Sequence, residues 1–393
     1  MKFLLLIGFF TFLNTYAADW PNFRGPAYDG KYTEEGLILD FSKSKPKSVW
    51  KKSVKTGFSS IVTSNGKVYT MGHAAGKDTV FCLNDENGEV IWEKSYKAEL
   101  QPNLYEGGPN STPTVHEGLL YTLGKHGQFY CWDANSGKEK WSVDISKRFS
   151  YKAPDWGFSS SPFISGDLVI INAGESGIAF DRKSGKLAWE SKKDKGSYAT
   201  PVPYKGDLLL FTSKKLIALK AADGKKLWEL DWKTSYDINS ADPIVTGDKI
   251  FISSGYGKGA GLVSVEGAQA KFDWTKKSMR NHFNSCVVVD GYAYGIDGNT
   301  NDRNAALKCI SLKDGKEMWS EALGFGSVTL ANDKLLVLRE KGMLVSVDVN
   351  PDAYKENGRV QILGGKCWTS PIVSNGHLYA RNARGDIVKL KLK

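Results

Sequence analysis

Asp133-Ala134-Asn135-Ser136-Gly137-Lys138-Glu139-Lys140-Trp141 closes one round of a repeat, and Asp181-Arg182-Lys183-Ser184-Gly185-Lys186-Leu187-Ala188-Trp189 closes the next. The shared pattern is Asp-x-x-x-Gly-Lys-x-x-Trp. Altered copies end at Trp92 (with Asn84 and Gly88), Trp228 (Lys220, Gly224) and Trp319 (Ser311, Gly315). A glycine turn followed by a strand that ends near a large aromatic suits a β-unit that cannot bury its own face. Repetition of such a unit every forty-odd residues marks a repeat architecture in which neighbours share their cores.

Working outward, each round opens on a strand start, here called A. Clear copies are Ser111-Thr112-Pro113, Ser160-Ser161-Pro162, Ala199-Thr200-Pro201, Ala241-Asp242-Pro243 and Thr369-Ser370-Pro371; looser ones begin at Ser59, Asn284 and Gly326. Each A start runs into a tight turn, such as Asn65-Gly66, Gly166-Asp167 or Asn375-Gly376. Gly and Asn tolerate the positive φ that two-residue hairpins require. Strand B follows, a loop leads to strand C, and the Gly-Lys turn opens strand D with its Trp. Trp50, Trp92, Trp141, Trp189, Trp228, Trp274 and Trp319 lie 39 to 49 residues apart. An eighth D strand, without Trp, is predicted near residues 359–363.

A C-type strand over 387–392 has no D strand after it, while 48–54 holds a D-type strand around Trp50 with no A–C strands before it. One partial round completes the other. The predicted fold is all-β: a single eight-bladed β-propeller over residues 18–393, with the N-terminal strand closing the last blade.

Composition agrees with many short strands: Trp 12, Tyr 17, Phe 18 and Gly 41 in 393 residues. Lys2, the apolar run Phe3–Leu13 and the small residues Thr15 and Ala17 read as a signal peptide over residues 1–17, cut before Ala18. That run is shorter than the about 20 residues of a permanent span. A soluble periplasmic or secreted monomer is expected. Cys82, Cys131 and Cys309 each precede a repeat glycine by six residues and read as small buried thiols. A bridge between Cys286 and Cys367 stays open. The net charge of +10 is scattered rather than gathered into a stripe, which excludes nucleic acid as a partner.

With the repeat in place, the chain resembles the quinoprotein-alcohol-dehydrogenase-like, or pyrroloquinoline quinone repeat, propellers. Asp19-Trp20-Pro21-Asn22-Phe23-Arg24-Gly25-Pro26 also resembles the start of small exported bacterial members. A more distant resemblance is to the propeller lipoprotein of the outer-membrane assembly machine, whose lipid-bearing Cys is lacking here. The larger dehydrogenases imply a quinone and calcium at the funnel. This chain lacks their adjacent cysteine pair and their long insertions.

In a propeller, the D–A connections and B–C loops share one face, and here that face holds the unusual residues. Tyr105, Glu106, Asp155, Trp156, Phe158, Tyr236, Asn239, Asp242, Arg280, Asn281, His282 and Trp368 are predicted to crowd the funnel, joined by Arg381 and Asn382. Aromatic walls with convergent polar groups make this the candidate binding site. Asp297, Asn299 and Asn301 alternate as in a calcium loop, but Lys308 stands where its later Glu belongs. Nucleophile-elbow, zinc-protease and phosphate-loop motifs are lacking. The leading expectation is a non-catalytic propeller binding an envelope protein, peptide or small ligand. The alternative is a minimal quinone-dependent dehydrogenase, with pyrroloquinoline quinone and calcium as cofactors.

Overall fold

A computed structural model describes residues 19–393, so the signal-peptide reading of residues 1–17 lies outside the described residues. Eight sheets form the ring. Seven take their A–D strands consecutively, over residues 62–97, 114–144, 163–190, 202–231, 244–276, 287–321 and 326–361. The eighth uses Ile372–Ser374, His377–Arg381 and Asp386–Lys391, and its outer strand is Lys47–Ser53. The predicted closure therefore holds, strand for strand. Within each sheet the neighbouring blade strands run antiparallel. Among the described residues one short helix, Ile145–Phe149, interrupts the β pattern, and no helix is long and apolar enough to cross a membrane.

The Gly-Lys-x-x-Trp unit explains how blades adhere. Trp50, Trp92, Trp141, Trp189 and Trp274 each cross to the next blade and lie on the glycine of that blade's turn. A Cβ on Gly137 would stand 2.7 Å from the Trp92 ring, and one on Gly185 would stand 2.6 Å from Trp141. Both glycines also hold positive φ, +67° and +69°. The indole N–H then donates to a carbonyl of the same turn: Trp92 to Ala134 at 3.0 Å, Trp141 to Arg182 at 3.1 Å and Trp189 to Ala221 at 2.9 Å. The cysteine slot has the same origin. Cys82 pairs with Trp92, Cys131 with Trp141 and Cys309 with Trp319, so a small C-strand residue makes room beside the indole. All five cysteines are buried and free, including Cys286 and Cys367. The hydrophobic cores lie between blades: one joins Tyr121, Leu123 and Trp141 to Val169, Ile171 and Phe180 of the next sheet.

Two boundaries differ from the sequence reading. The D strand expected near 359–363 is Glu356–Gln361, and it closes the seventh blade. The A strands begin just after the residues quoted for them, at Thr114, Phe163, Val202, Ile244 and Ile372. Proline supplies no N–H to a ladder, and the residues before it bond sideways instead. The Ser60 amide donates to Thr112 Oγ1 (3.0 Å), Thr112 to Ser161 Oγ (3.1 Å), Ser161 to Thr200 Oγ1 (3.1 Å), Thr200 to Asp242 Oδ1 (2.8 Å) and Asp242 to Ser285 Oγ (2.8 Å). A belt of hydrogen bonds thus runs from the first blade to the sixth beside the axis.

Residues 19–46 build no blade of their own. They cross the inner edge of the ring on the A–B turn face. The Trp20 amide donates to Thr63 Oγ1 of the first blade while its carbonyl accepts from the Thr63 amide, and Pro21 O accepts from the Val115 amide of the second. Arg24 Nη2 donates to Cys286 O (2.8 Å) near the sixth, while Lys31–Tyr32 pairs in parallel with the seventh.

Candidate functional site

The loop face opens into a cavity of about 290 Å³ over the axis, close to the small end of ordinary ligand sites. Its wall comes largely from one place in the repeat, two residues before each belt residue. Phe58, Asn110, Ser159, Tyr198, Ser240, Phe283 and Trp368 all occupy it and all line the cavity. Longer loops add Tyr105, Trp156, Tyr256 and His282. Phe23 reaches the cavity from the N-terminal segment and forms part of its floor. The rings touch one another: Phe58 lies 5.3 Å from Tyr105 and 5.2 Å from Trp368, Phe283 5.3 Å from Trp368, and Trp156 6.2 Å from Tyr198. Such spacings are those of favourable aromatic pairs, so the wall holds its shape before any ligand arrives.

Hydrogen bonds fix the polar members. His282 Nδ1 accepts from the Thr300 amide (3.3 Å), which assigns the ring proton to Nε2, facing the Tyr256 hydroxyl at 2.9 Å. Burial pushes the imidazole down to about 4, so it is neutral. Tyr105 is anchored by Lys125, whose Nζ donates to its hydroxyl and to Gln101 O (3.0 Å). Trp156 Nε1 donates to Asn103 O (3.2 Å) and Trp368 Nε1 to Glu340 Oε1 (2.7 Å). Among the described residues, Asp242, 4% exposed, is the one carboxylate lining the cavity, and no lysine or arginine lines it. Burial pushes its carboxyl up to about 7, against the pull of Arg24.

Of the residues singled out in the sequence, Tyr105, Trp156, Asp242, His282 and Trp368 line the cavity. Tyr236 stands outside the lining, 64% exposed, its ring 5.1 Å from Tyr256. Asp155 and Glu106 pair with Lys195 (2.7 Å) and Lys366 (2.9 Å). The others serve the fold. Phe158 is buried between blades. Asn239 donates to Thr212 O, Asn281 to Ile296 O and Asn382 to Gly364 O. Arg381, placed at the funnel by the sequence reading, is 1% exposed and spends Nη1 on Ser59 O, Thr70 Oγ1 and Met71 O of the first blade. It fastens the ring at its closure. Phe23, Phe58, Tyr198, Tyr256 and Phe283 were not singled out. All but Phe23 and Tyr256 could have been found by counting two residues back from each belt position.

The calcium-loop candidates are also committed elsewhere. Arg280 grips Asp297 with two nitrogens (2.9 and 2.6 Å), and Lys308 adds a third contact at 3.1 Å. Asn299 Oδ1 accepts from the Tyr256 amide, and Asn301 lines the cavity. Pyrroloquinoline quinone is a polycarboxylate. The lining offers it no cationic side chain, and a calcium ion would find one carboxylate. The residues present do not fit that pair.

The sequence profile of the family described as outer membrane protein assembly factor BamB matches residues 34–109 and 97–321. A relative of that description from Moranella endobia is 26% identical over 257 residues, covering 61% of this chain and 64% of its own length. The match therefore spans just under two thirds of that relative. The crystal structure of BamB from Moraxella catarrhalis superposes with a TM-score of 0.65 at 15% identity, over 88% of this chain and 98% of that one. A europium-containing methanol dehydrogenase superposes with a TM-score of 0.74 at 12% identity, over 95% and 98%. At such identities the structural likeness is one of fold.

Proposed function

The chain belongs to the outer membrane protein assembly factor BamB family, and from that premise we propose that it is an exported, non-catalytic propeller that holds a protein or peptide partner on its loop-rich face. Its place is the periplasm, reached by a signal peptide cut before Ala18, with residues 18–393 forming one propeller domain. The observation that carries this reading is the position of the exposed apolar groups. Leu104 is 91% exposed and Tyr236 64%, the highest values among the large apolar side chains of the described residues. Both stand in D–A connections at the funnel mouth, beside the half-buried Trp156. The two most exposed apolar groups at one concave face, with rigid aromatics around them, are what an interface anchor requires. The turn face, by comparison, is built of minimal polar hairpins.

Site-specific photo-crosslinking in the exporting cell tests the reading. A photoreactive residue at Leu104 or Tyr236 should trap one discrete envelope protein, and the same residue at Asp248, on the turn face, should not. Equal trapping from both faces, or from Asp248 alone, contradicts it.

A further inference from the structure

We propose that the funnel is a receptor site for an organic ammonium group, which seats on the Asp242 carboxylate within the aromatic wall. The inference begins with the hydrogen-bonded belt. Seven blades place a hydroxyl at the belt's position in the repeat, Ser60, Thr112, Ser161, Thr200, Ser285, Ser327 and Ser370, and the eighth places Asp242. The belt asks its side chains for one acceptor, which the hydroxyls of Thr112, Ser161, Thr200 and Ser285 supply at 2.8 to 3.1 Å. Asp242 Oδ1 meets that need for the Thr200 amide at 2.8 Å. Its second oxygen, Oδ2, is buried and has no hydrogen-bond partner. A serine would serve the belt without the cost of burying an unpaired carboxylate oxygen. Beyond its through-space attraction to the buried Arg24, the carboxylate therefore brings to the cavity an acceptor oxygen that the belt does not use.

What it brings is a negative charge in a space with no positive one. Arg24 lies below the floor, with its nitrogens on the carbonyls of Tyr28, Asp29 and Cys286. It acts on Asp242 through space but does not line the cavity. Trp156, Tyr198, Tyr256, Phe283 and Trp368 surround the opening, and aromatic faces attract cations. An anion would meet a carboxylate and the negative faces of the rings. A neutral apolar guest would leave Oδ2 unpaired. An ammonium group satisfies both the charge and the walls. The same chemistry is presented by a free amine and by a lysine side chain of a bound partner. The inference does not depend on the partner-docking reading above, because a free amine would bind with no protein present.

Titration calorimetry on the full chain, at about pH 8 where amine and carboxylate are both charged, tests it. The probes are benzylamine, its neutral isostere benzyl alcohol, and the peptide acetyl-Gly-Lys-Gly-amide. At least one cationic probe should bind about tenfold or more tighter than benzyl alcohol. Binding by benzylamine identifies a free amine as the source, and binding by the peptide alone identifies a lysine side chain. D242S, which carries the hydroxyl of the other blades, and D242N should lose the preference while still unfolding cooperatively. W156A and W368A, at the wall, should weaken the cation in a chain whose belt is untouched. The proposal is overturned if neither cation binds at millimolar concentration, or if amine and alcohol bind alike. It is equally overturned if the folded Asp242 variants, or both tryptophan variants, bind the cation as the parent does.

Discussion

Gly185 and Trp141 meet face to face across a blade boundary, and the contact admits no side chain. An alanine there would have to hold φ near +69° and place its Cβ 2.6 Å from the indole. The first demand costs roughly 1–2 kcal/mol, and the overpacking adds a further ~1–3 kcal/mol. Gly247 has a positive φ of +59° but nothing within 4 Å of its would-be Cβ, so Gly247→Ala should show only the first cost. Denaturant midpoints of Gly185→Ala and Gly247→Ala should therefore separate, the former being clearly less stable. Equal midpoints would mean that the indole contact does not hold the blades. This pair was legible in the sequence because both partners sit inside one motif and recur. Asp242 was legible as a funnel residue, but its peculiarity was not. Ala-Asp-Pro reads like the other starts until the belt aligns it with seven hydroxyls. Arg381 misled for the opposite reason: a charged side chain at a strand end suggests solvent, and only the neighbouring blade's carbonyls show where the charge is spent.

Between residue and ring stands the N-terminal segment, which does two separable things. Lys47–Ser53 is the outer strand of the eighth blade, and this the sequence showed through the unpaired halves at the two ends. Residues 19–32 were not placed by any periodicity, since their partners lie on blades far along the chain: Thr63, Val115, Cys286 and Leu330. Contacts of that kind leave no local pattern to read. The division predicts different outcomes for two truncations. Removing residues 19–32 should lower the melting temperature and expose Phe163, against which Tyr28 packs at 5.1 Å, while unfolding stays cooperative. Removing residues 19–53 also strips the outer strand from the last blade and uncovers a sheet edge. That protein should lose cooperative unfolding and aggregate. Scanning calorimetry with light scattering reads both, and similar behaviour of the two would refute the separation.

At the scale of the whole molecule, the ring has one plain face and one elaborated face. The repeat explains the plain face apart from the N-terminal segment that crosses it: its A–B and C–D turns are mostly the tight turns and Gly-Lys turns that set the blade count. Departures from the repeat collect on the other face, in the loops that carry Leu104, Tyr105, Trp156, Tyr236 and His282. This is why fold and face were readable from the chain while the members of the site were only partly so. The repeat states where strands end, but which long loop folds inward depends on bonds such as Trp156 to Asn103 and Lys125 to Tyr105. The central claim is that this face engages a partner through its exposed apolar anchors. The most direct measurement is the affinity of the crosslinked partner for the Leu104→Ser, Tyr236→Ser double variant, with thermal stability followed in parallel. Both side chains are at the surface, so stability should stay within about 0.5 kcal/mol of the parent. Affinity should fall by about tenfold or more, as loss of an interface anchor does. An unchanged affinity in a stably folded double variant would contradict the account.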